Sequence, residues 1–474
     1  MSMSTPKFSD LSIKFFDSKS RADVELETRD PGKVSIYACG PTVYDHPHLG
    51  HGRTAFTYDM IRRFLRYVGY EVTLASNITD IEDKIIKRAK EEGVSESEIT
   101  SKYEKSYRDQ LDSLGIEHPD HVPHATEYVP EMIELIERLI KNEMAYETST
   151  GVYFSVPNFK DYGQLSGRTV EDLLESAGAR VDVDDEKRSP IDFALWKFAK
   201  PNEPTWDSPW GPGRPGWHIE CSAMCVGILG PGFDIHGGGT DLVFPHHENE
   251  IAQSVGAGDT FARYWIHSAM LNISGEKMSK SLGNFITLAD AIKAHGPRAL
   301  RLFMIQTHYR SQMEISDESL AAAKSALDRL DTFVRRVDQL GIAGDPVPID
   351  SELQMKFVRT MANDFAAPQA LAVIFEALRH ANSALAVEDY DLVATLFATI
   401  TELSQVLGIN FDQGKAKSNV DPVWVEEKIQ ERETARANKD FALSDSIRDE
   451  LATKDVVIED TKDGTTWHVE TKTK

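Results

Sequence analysis

The sequence has little cysteine: three residues in 474, at Cys39, Cys221 and Cys225. So sparse and odd a set excludes a disulfide framework and suits a reduced compartment, so a cytoplasmic location is expected. Long apolar runs are missing too. None approaches the roughly 20 residues of a membrane span, and no membrane partner is expected. The opening MSMSTPKFSD has neither the charged nor the apolar part of a secretory signal. Basic residues are in the minority, 52 against 76 acidic ones, for a net charge of −24. That balance excludes a broad nucleic-acid-binding face, so any basic footprint must be local. There is no internal repeat and no low-complexity tract. What remains is an ordinary globular composition, long enough for several domains.

Residues 34–59, VSIYACGPTVYDHPHLGHGRTAFTYD, are the most informative stretch. They read as a short apolar strand (Val34, Ile36, Ala38), a turn at Cys39-Gly40-Pro41, and a loop holding three histidines. A helix follows, with Ala55, Tyr58, Ile61, Leu65 and Val68 on one face. A strand feeding a helix start is the geometry that grips phosphate, because free N–H groups and the positive end of the helix dipole point at the ligand. His48 and His51, three apart, can face one ligand. Two histidines at a helix start are more often incidental than catalytic, so a second half of the site is required. EVTLASNIT reads as a second buried strand with Asn77 and Thr79 at its tip, and a helix is expected over 80–92. Strand–helix–strand–helix predicts a Rossmann-like, doubly wound parallel sheet, whose ligands sit at the carboxyl ends of the strands.

The pattern divides the chain further. Residues 1–126 form the first half of the Rossmann catalytic domain and 127–192 an inserted subdomain. Residues 193–285 form the second half, ending in the lysine loop GEKMSKSLGNFIT, and 286–316 link it onward. In that second half, FDIHGGGTDLVFPHHENEIAQS predicts a strand, a flexible triple glycine, another short strand and a helix starting near Pro245. Residues 317–411 have the spacing of an α-helical bundle, and 412–474 hold a linker and a small mixed α/β module. One amphipathic helical stretch is expected over 423–451, followed by a hairpin around Asp463-Gly464.

Four side chains are candidates for one metal site: Cys39, Cys221, His246 and Glu250. His246 and Glu250 are four apart on a helix and share a face, whereas His247 and Glu248 point elsewhere. Two thiolates, an imidazole and a carboxylate suit zinc. On spacing alone Cys225, one turn beyond Cys221, competes evenly. Two buried cysteines unrelated to a solvated His/Glu helix start is the competing reading.

Taken together, these pieces resemble the cysteinyl-tRNA synthetases, a class I aminoacyl-tRNA synthetase family, along essentially the whole chain. The first signature reads His48-Leu49-Gly50-His51, with Leu49 in place of the usual isoleucine, and the second reads Lys277-Met278-Ser279-Lys280-Ser281. YACGPTVYD, NITDIEDKIIKRA, GRPGWHIECSAM, FDIHGGGTDLVFPHHENEIAQS and HYRSQ extend the likeness. The resemblance implies that Cys39, Cys221, His246 and Glu250 hold one zinc ion and that Cys225 is no ligand. It places Gly40, Thr79, Trp217 and Asp241 against cysteine, and His48, Gly50, His51, His236, Gly238 and Lys280 against ATP, which enters with magnesium. His48, His51, Lys277 and Lys280 are the implied catalytic groups. L-cysteine would be joined to ATP as an adenylate and passed to the terminal adenosine of tRNA-Cys, by a chain expected to be a monomer. Zinc would separate thiol from hydroxyl where a plain apolar pocket gives only about 100-fold, so no editing domain is expected.

Arg432, Arg436, Lys439, Arg448 and Trp467 are candidates for contact with unpaired nucleotides, although helix-surface charge pairing explains each arginine and lysine singly. In the rival cysteine ligases of mycothiol synthesis most of the chain after the lysine loop is lacking. A non-catalytic relative would have eroded signatures, and none is eroded here. Lys84 and Lys87 match a motif linked in the family to pyridoxal-phosphate-dependent persulfide formation, although two helix-surface lysines are usually only solvated.

Overall fold

The computed structural model describes residues 8, 11–177, 186–201, 203–273, 276–277, 286–342, 347–411, 421–454, 456–461 and 464–469. At its centre is a four-stranded parallel sheet in the order Tyr264–Ser268, Ile235–Gly239, Lys33–Ala38, Glu71–Ala75. The chain starts at Lys33–Ala38, moves out to Glu71–Ala75, then returns across its starting strand. A ligand crevice belongs where the order reverses, outside the carboxyl ends of Lys33–Ala38 and Ile235–Gly239. Val34, Ile36 and Ile235 are buried, as strands covered on both faces require. Asp234 fixes the register by accepting from the Ser35 backbone at 2.8 Å and the Ser35 hydroxyl at 2.7 Å.

The triple glycine differs from its expected flexible form. Gly237, Gly238 and Gly239 are the last three residues of a buried strand. A β-carbon on Gly237 would run into the Ile266 carbonyl and the Tyr58 hydroxyl, so glycine serves close approach here and not motion. The expected short strand after it is absent, because the chain turns helical at Thr240–Leu242. Helical backbone resumes after the non-helical Phe244, near Pro245 as expected, and runs on into the regular helix Glu248–Gly256.

The first helix, Leu49–Tyr67, lays Tyr58, Ile61, Phe64 and Leu65 on the sheet, and the Tyr58 hydroxyl donates to the Ile266 carbonyl at 2.6 Å. The inserted region opens with the helix Val129–Lys141 and builds an antiparallel sheet, Ala145–Glu147, Gly151–Phe154, Phe193–Phe198, Gly213–Pro215. Phe193–Phe198 therefore pairs inside that sheet and does not rejoin the parallel one at 193. FALWKF is apolar on both faces, and such a run reads equally as a strand of either kind.

Beyond the lysine segment, Leu288–His295 and Pro297–Ile305 lead to the four bundle helices Asp317–Gln339, Ser351–Met361, Ala367–Ala386 and Tyr390–Val406. One buried guanidinium fastens the end of the bundle to the first helix. Arg301 donates to Asp59 at 2.6 Å, to the Leu407 carbonyl at 2.9 Å, and to the Leu114 and Gly115 carbonyls at 3.0 and 2.9 Å. In the terminal module the single amphipathic stretch expected over 423–451 is two helices, Pro422–Ala437 and Phe441–Thr453. Lys439 adopts a φ of 63° between them, and Asp440 caps the second by accepting from the Leu443 amide at 3.1 Å. The hairpin Val456–Thr461 and Gly464–Val469 completes it as expected.

Candidate active site

The four candidate metal ligands meet at the reversal point of the sheet. Cys39 follows the central strand, its amide donating to the Gly237 carbonyl at 2.8 Å. Cys221 lies in the first turns of Trp217–Leu229, and Glu250 in the first turn of Glu248–Gly256, with His246 just before that helix. The two Sγ atoms are 3.6 Å apart, Cys39 Sγ is 3.5 Å from Glu250 Oε1, and His246 Nε2 is 3.0 Å from the same oxygen. A tetrahedral ion with bonds of about 2.0–2.3 Å needs ligand–ligand edges of about 3.3–3.8 Å, close to these separations. Burial and the neighbouring Cys221 push the Cys39 thiol well up. The contact from Cys39 favours the Cys221 thiolate, yet burial and the Glu250 carboxylate push that thiol up to about 11. His246 is held neutral by burial, the form in which imidazole ligates. Thiols that hold their protons this tightly without a cation are what a divalent ion would displace.

Spacing left Cys221 and Cys225 even; the structure separates them. Cys225 is buried with 0% exposure and joins neither of two overlapping sets of side chains within reach of one ion. The second set replaces Cys221 and His246 with His236 and His247. It is the poorer cage, having one thiol, and His236 is already engaged at both nitrogens. Its Nε2 lies 2.7 Å from Glu250 Oε2, and its Nδ1 lies 3.0 Å from the Tyr37 carbonyl. His236 is thus 0% exposed, behind the Glu250 carboxylate. Glu248 points elsewhere as expected, accepting from the Gly163 and Ser166 amides of the inserted region at 3.0 and 2.8 Å. His247 turns to His267, 2.8 Å away.

The other positions surround the same crevice. The Trp217 ring lies 4.3 Å from that of His246. Gly40 and Thr79 lie just beyond the ends of adjacent strands, joined where Thr42 bridges Thr79. Asp241 is exposed just past the glycine strand, while Gly238 is buried within it. His48 caps the first helix and stacks on His51 at 3.7 Å, its amide donating to His51 Nδ1 at 3.1 Å. A β-carbon at Gly50 would stand 2.8 Å from the His48 ring, so glycine gives that ring its place. Lys277 ends a two-residue strand whose side chains are not described, and Lys280 lies outside the described residues. Chain beyond the lysine loop is fastened to the histidine pair: Thr287 bridges His48, and the Leu288 amide donates to the Pro47 carbonyl at 2.8 Å.

Some participants escaped the sequence reading. Arg53, two residues past His51, is buried and donates to the Met270, His308 and Ser311 carbonyls, tying the first helix to chain on both sides of the lysine segment. Burial lowers it to about 10, still cationic at neutral pH. Glu220 and His218 sit among the ligands; the signal was two polar residues in the otherwise apolar start of Trp217–Leu229. In the terminal module, Arg432 is 2% exposed and bidentate to Asp460 at 2.8 and 2.9 Å, and Arg436 reaches the same carboxylate at 2.6 Å. Arg432 is therefore structural, a correction to its expected nucleotide contact. Lys84 and Lys87 are exposed, beside the Tyr44 ring and Glu91.

A parallel sheet of this order, with a histidine pair opening the helix after its first strand, is the catalytic fold of the class I aminoacyl-tRNA synthetases. The family model described as the tRNA synthetases class I (C) catalytic domain matches residues 25–325. A DALR domain matches 356–412, and a cysteinyl-tRNA ligase anticodon binding domain matches 425–467. The cysteine–tRNA ligase of Shewanella loihica is 47% identical over 463 residues, 96% of this chain and 99% of that one. That of Carboxydothermus hydrogenoformans is 44% identical over 471 residues, again 96% and 99%. The chain belongs to the cysteine–tRNA ligase family of class I enzymes. Among solved structures, Mycobacterium tuberculosis methionyl-tRNA synthetase in complex with methionyl-adenylate aligns with a TM-score of 0.58 at 16% identity, covering 80% of this chain and 90% of that one; this likeness is one of fold.

Proposed function

We propose that the chain activates L-cysteine with ATP and transfers it to tRNA-Cys, with Cys39, Cys221, His246 and Glu250 holding one zinc ion. The observation that carries this reading is the convergence of two thiols, an imidazole and a carboxylate at the crevice that also holds the histidine pair. A bound zinc would supply a soft Lewis acid that takes a thiolate far better than a hydroxyl. The protein's own part is positioning and charge stabilisation. His48 and His51, at the positive end of the first helix, donate to the phosphates of ATP, which arrives with magnesium. Lys277 and Lys280 neutralise the departing pyrophosphate. Trp217 walls the pocket beside His246, and Gly40, Thr79 and Asp241 bind the amino-acid backbone. No side-chain nucleophile is needed.

Pyrophosphate exchange with cysteine and with serine, each with and without a zinc chelator, tests this. Exchange with cysteine alone, abolished by chelation and restored by zinc, is expected. Exchange with serine at a comparable rate, or indifference of metal-stripped enzyme to zinc, defeats it. Transfer to tRNA and not to glucosaminyl-inositol separates this reading from the mycothiol ligases, and support for tRNA comes from the long helical region and terminal module.

A further inference from the structure

Three buried polar side chains link the metal-ligand quartet to the amino-acid contacts. Asn77, Thr79 and Glu220 are 1%, 1% and 0% exposed. Asn77 Oδ1 accepts from the Gly40 amide at 2.9 Å and lies 3.7 Å from Cys221 Sγ. Its Nδ2 donates to Thr79 Oγ1 at 3.2 Å, and the Thr79 hydroxyl donates to Glu220 Oε2 at 3.1 Å. A backbone N–H only donates, so the Gly40 bond fixes which end of the Asn77 amide is oxygen. The NH₂ end must then face Thr79. With its proton given to Glu220 and one lone pair taken by Asn77, the Thr79 hydroxyl has a single acceptor site left. With Glu220 as the acceptor, that site takes only a donor.

We propose that Asn77, together with Glu220, is a positioning residue that makes Thr79 a fixed acceptor for the α-ammonium of the amino-acid substrate. The proposal rests on reading Thr79 as an amino-acid contact. Without Asn77 the hydroxyl keeps two open lone pairs and loses its set direction, and the Gly40 amide loses its partner. A buried network of this kind orients a group at no cost during the reaction.

The test uses the full-length zinc enzyme and its Asn77→Ala, Thr79→Val and double variants. Pyrophosphate exchange gives KM for cysteine and for ATP, inhibition by 3-mercaptopropionate reports binding of a thiol that lacks the ammonium, and atomic absorption gives bound zinc. Asn77→Ala is expected to raise the KM for cysteine about tenfold, with ATP KM and 3-mercaptopropionate inhibition changed by less than about twofold and zinc content kept. The double variant should be no worse than the worse single one, because Asn77 acts through Thr79. Equal weakening of cysteine and 3-mercaptopropionate, additive effects, or an unchanged cysteine KM overturns the proposal. Should Asn77→Ala give no soluble protein, Asn77→Asp keeps the acceptor for Gly40 and removes only the donor to Thr79. It is judged by the same ratios. A wild type without cysteine-dependent exchange defeats the functional reading and this proposal with it; a wild type that exchanges beside variants that behave alike defeats this proposal alone.

Discussion

On the floor of the catalytic crevice, Cys39, Cys221, His246 and Glu250 are 7%, 1%, 2% and 0% exposed, and each lies within reach of the others. In the terminal module three arginines, the buried Arg432 with the more exposed Arg436 and Arg448, converge on Asp460 at 2.8, 2.6 and 4.0 Å. The first arrangement gathers groups that repel or lose solvation unless a cation joins them. The second is complete by itself. Buried donors without their counter-ion mark a binding site, whereas charges already paired mark structure. Chemistry should therefore be lost by touching the crevice, and tRNA affinity by touching the module.

The largest expected effect comes from breaking the quartet. Cys221→Ser or His246→Ala should lower cysteine activation about 100-fold or more and reduce bound zinc in parallel, as read by pyrophosphate exchange and atomic absorption. Full activation by a zinc-free variant would sink the contrast. Next, Asp460→Ala strands the buried Arg432 but lies far from the crevice in function. Such a partly exposed pair is worth about 1 kcal/mol, so the KM for tRNA should rise roughly fivefold while exchange without tRNA is unchanged. Loss of exchange would show that the two regions are not separable in this way.

Acid sharpens the comparison most gently. Burial among aromatic and imidazole rings lowers His267 to about 3 from its ordinary 6.5, while it bonds the Ser18 hydroxyl and His247, each at 2.8 Å. Between about pH 6.5 and 3 the unfolded chain binds that proton and the folded one does not, so stability falls as pH drops through this window and rises on returning to neutrality. Asp460 has the same sign in a lower window: hydrogen bonds from Arg432 hold its carboxyl well below the usual range, so its contribution stays whole until the pH falls into the ordinary carboxylate range. Unfolding followed from pH 7 to 4 should thus show the catalytic half weakening first, with a shallower slope for His267→Gln. Equal acid sensitivity of the two halves over this range would contradict that order.

What was legible in the sequence was mostly local. The histidine pair, the first strand and helix and the terminal hairpin each declare themselves within about twenty residues. By spacing alone Cys221 could not be told from Cys225, because one helical turn separates them and only the distant Cys39, or the family resemblance, decides. The partners of His236 were out of view for the same reason, being the carbonyl of Tyr37 and the carboxylate of Glu250. The triple glycine was misread because its cause, Tyr58 and Ile266 pressing on Gly237, lies on other elements. The break in the last amphipathic stretch rests on one backbone angle at Lys439, which composition does not reveal.

Arg301 also sets a limit on dissection. A chain cut ahead of Pro297 would leave the Asp59 carboxylate, the Leu114 carbonyl and the packed face of Leu49–Tyr67 without the guanidinium that answers them. The nucleotide-binding half is therefore not a detachable cassette: Arg62 and Arg63 would still pair with Asp59, but the Leu114 carbonyl and the face that Arg301 covers would lose this partner.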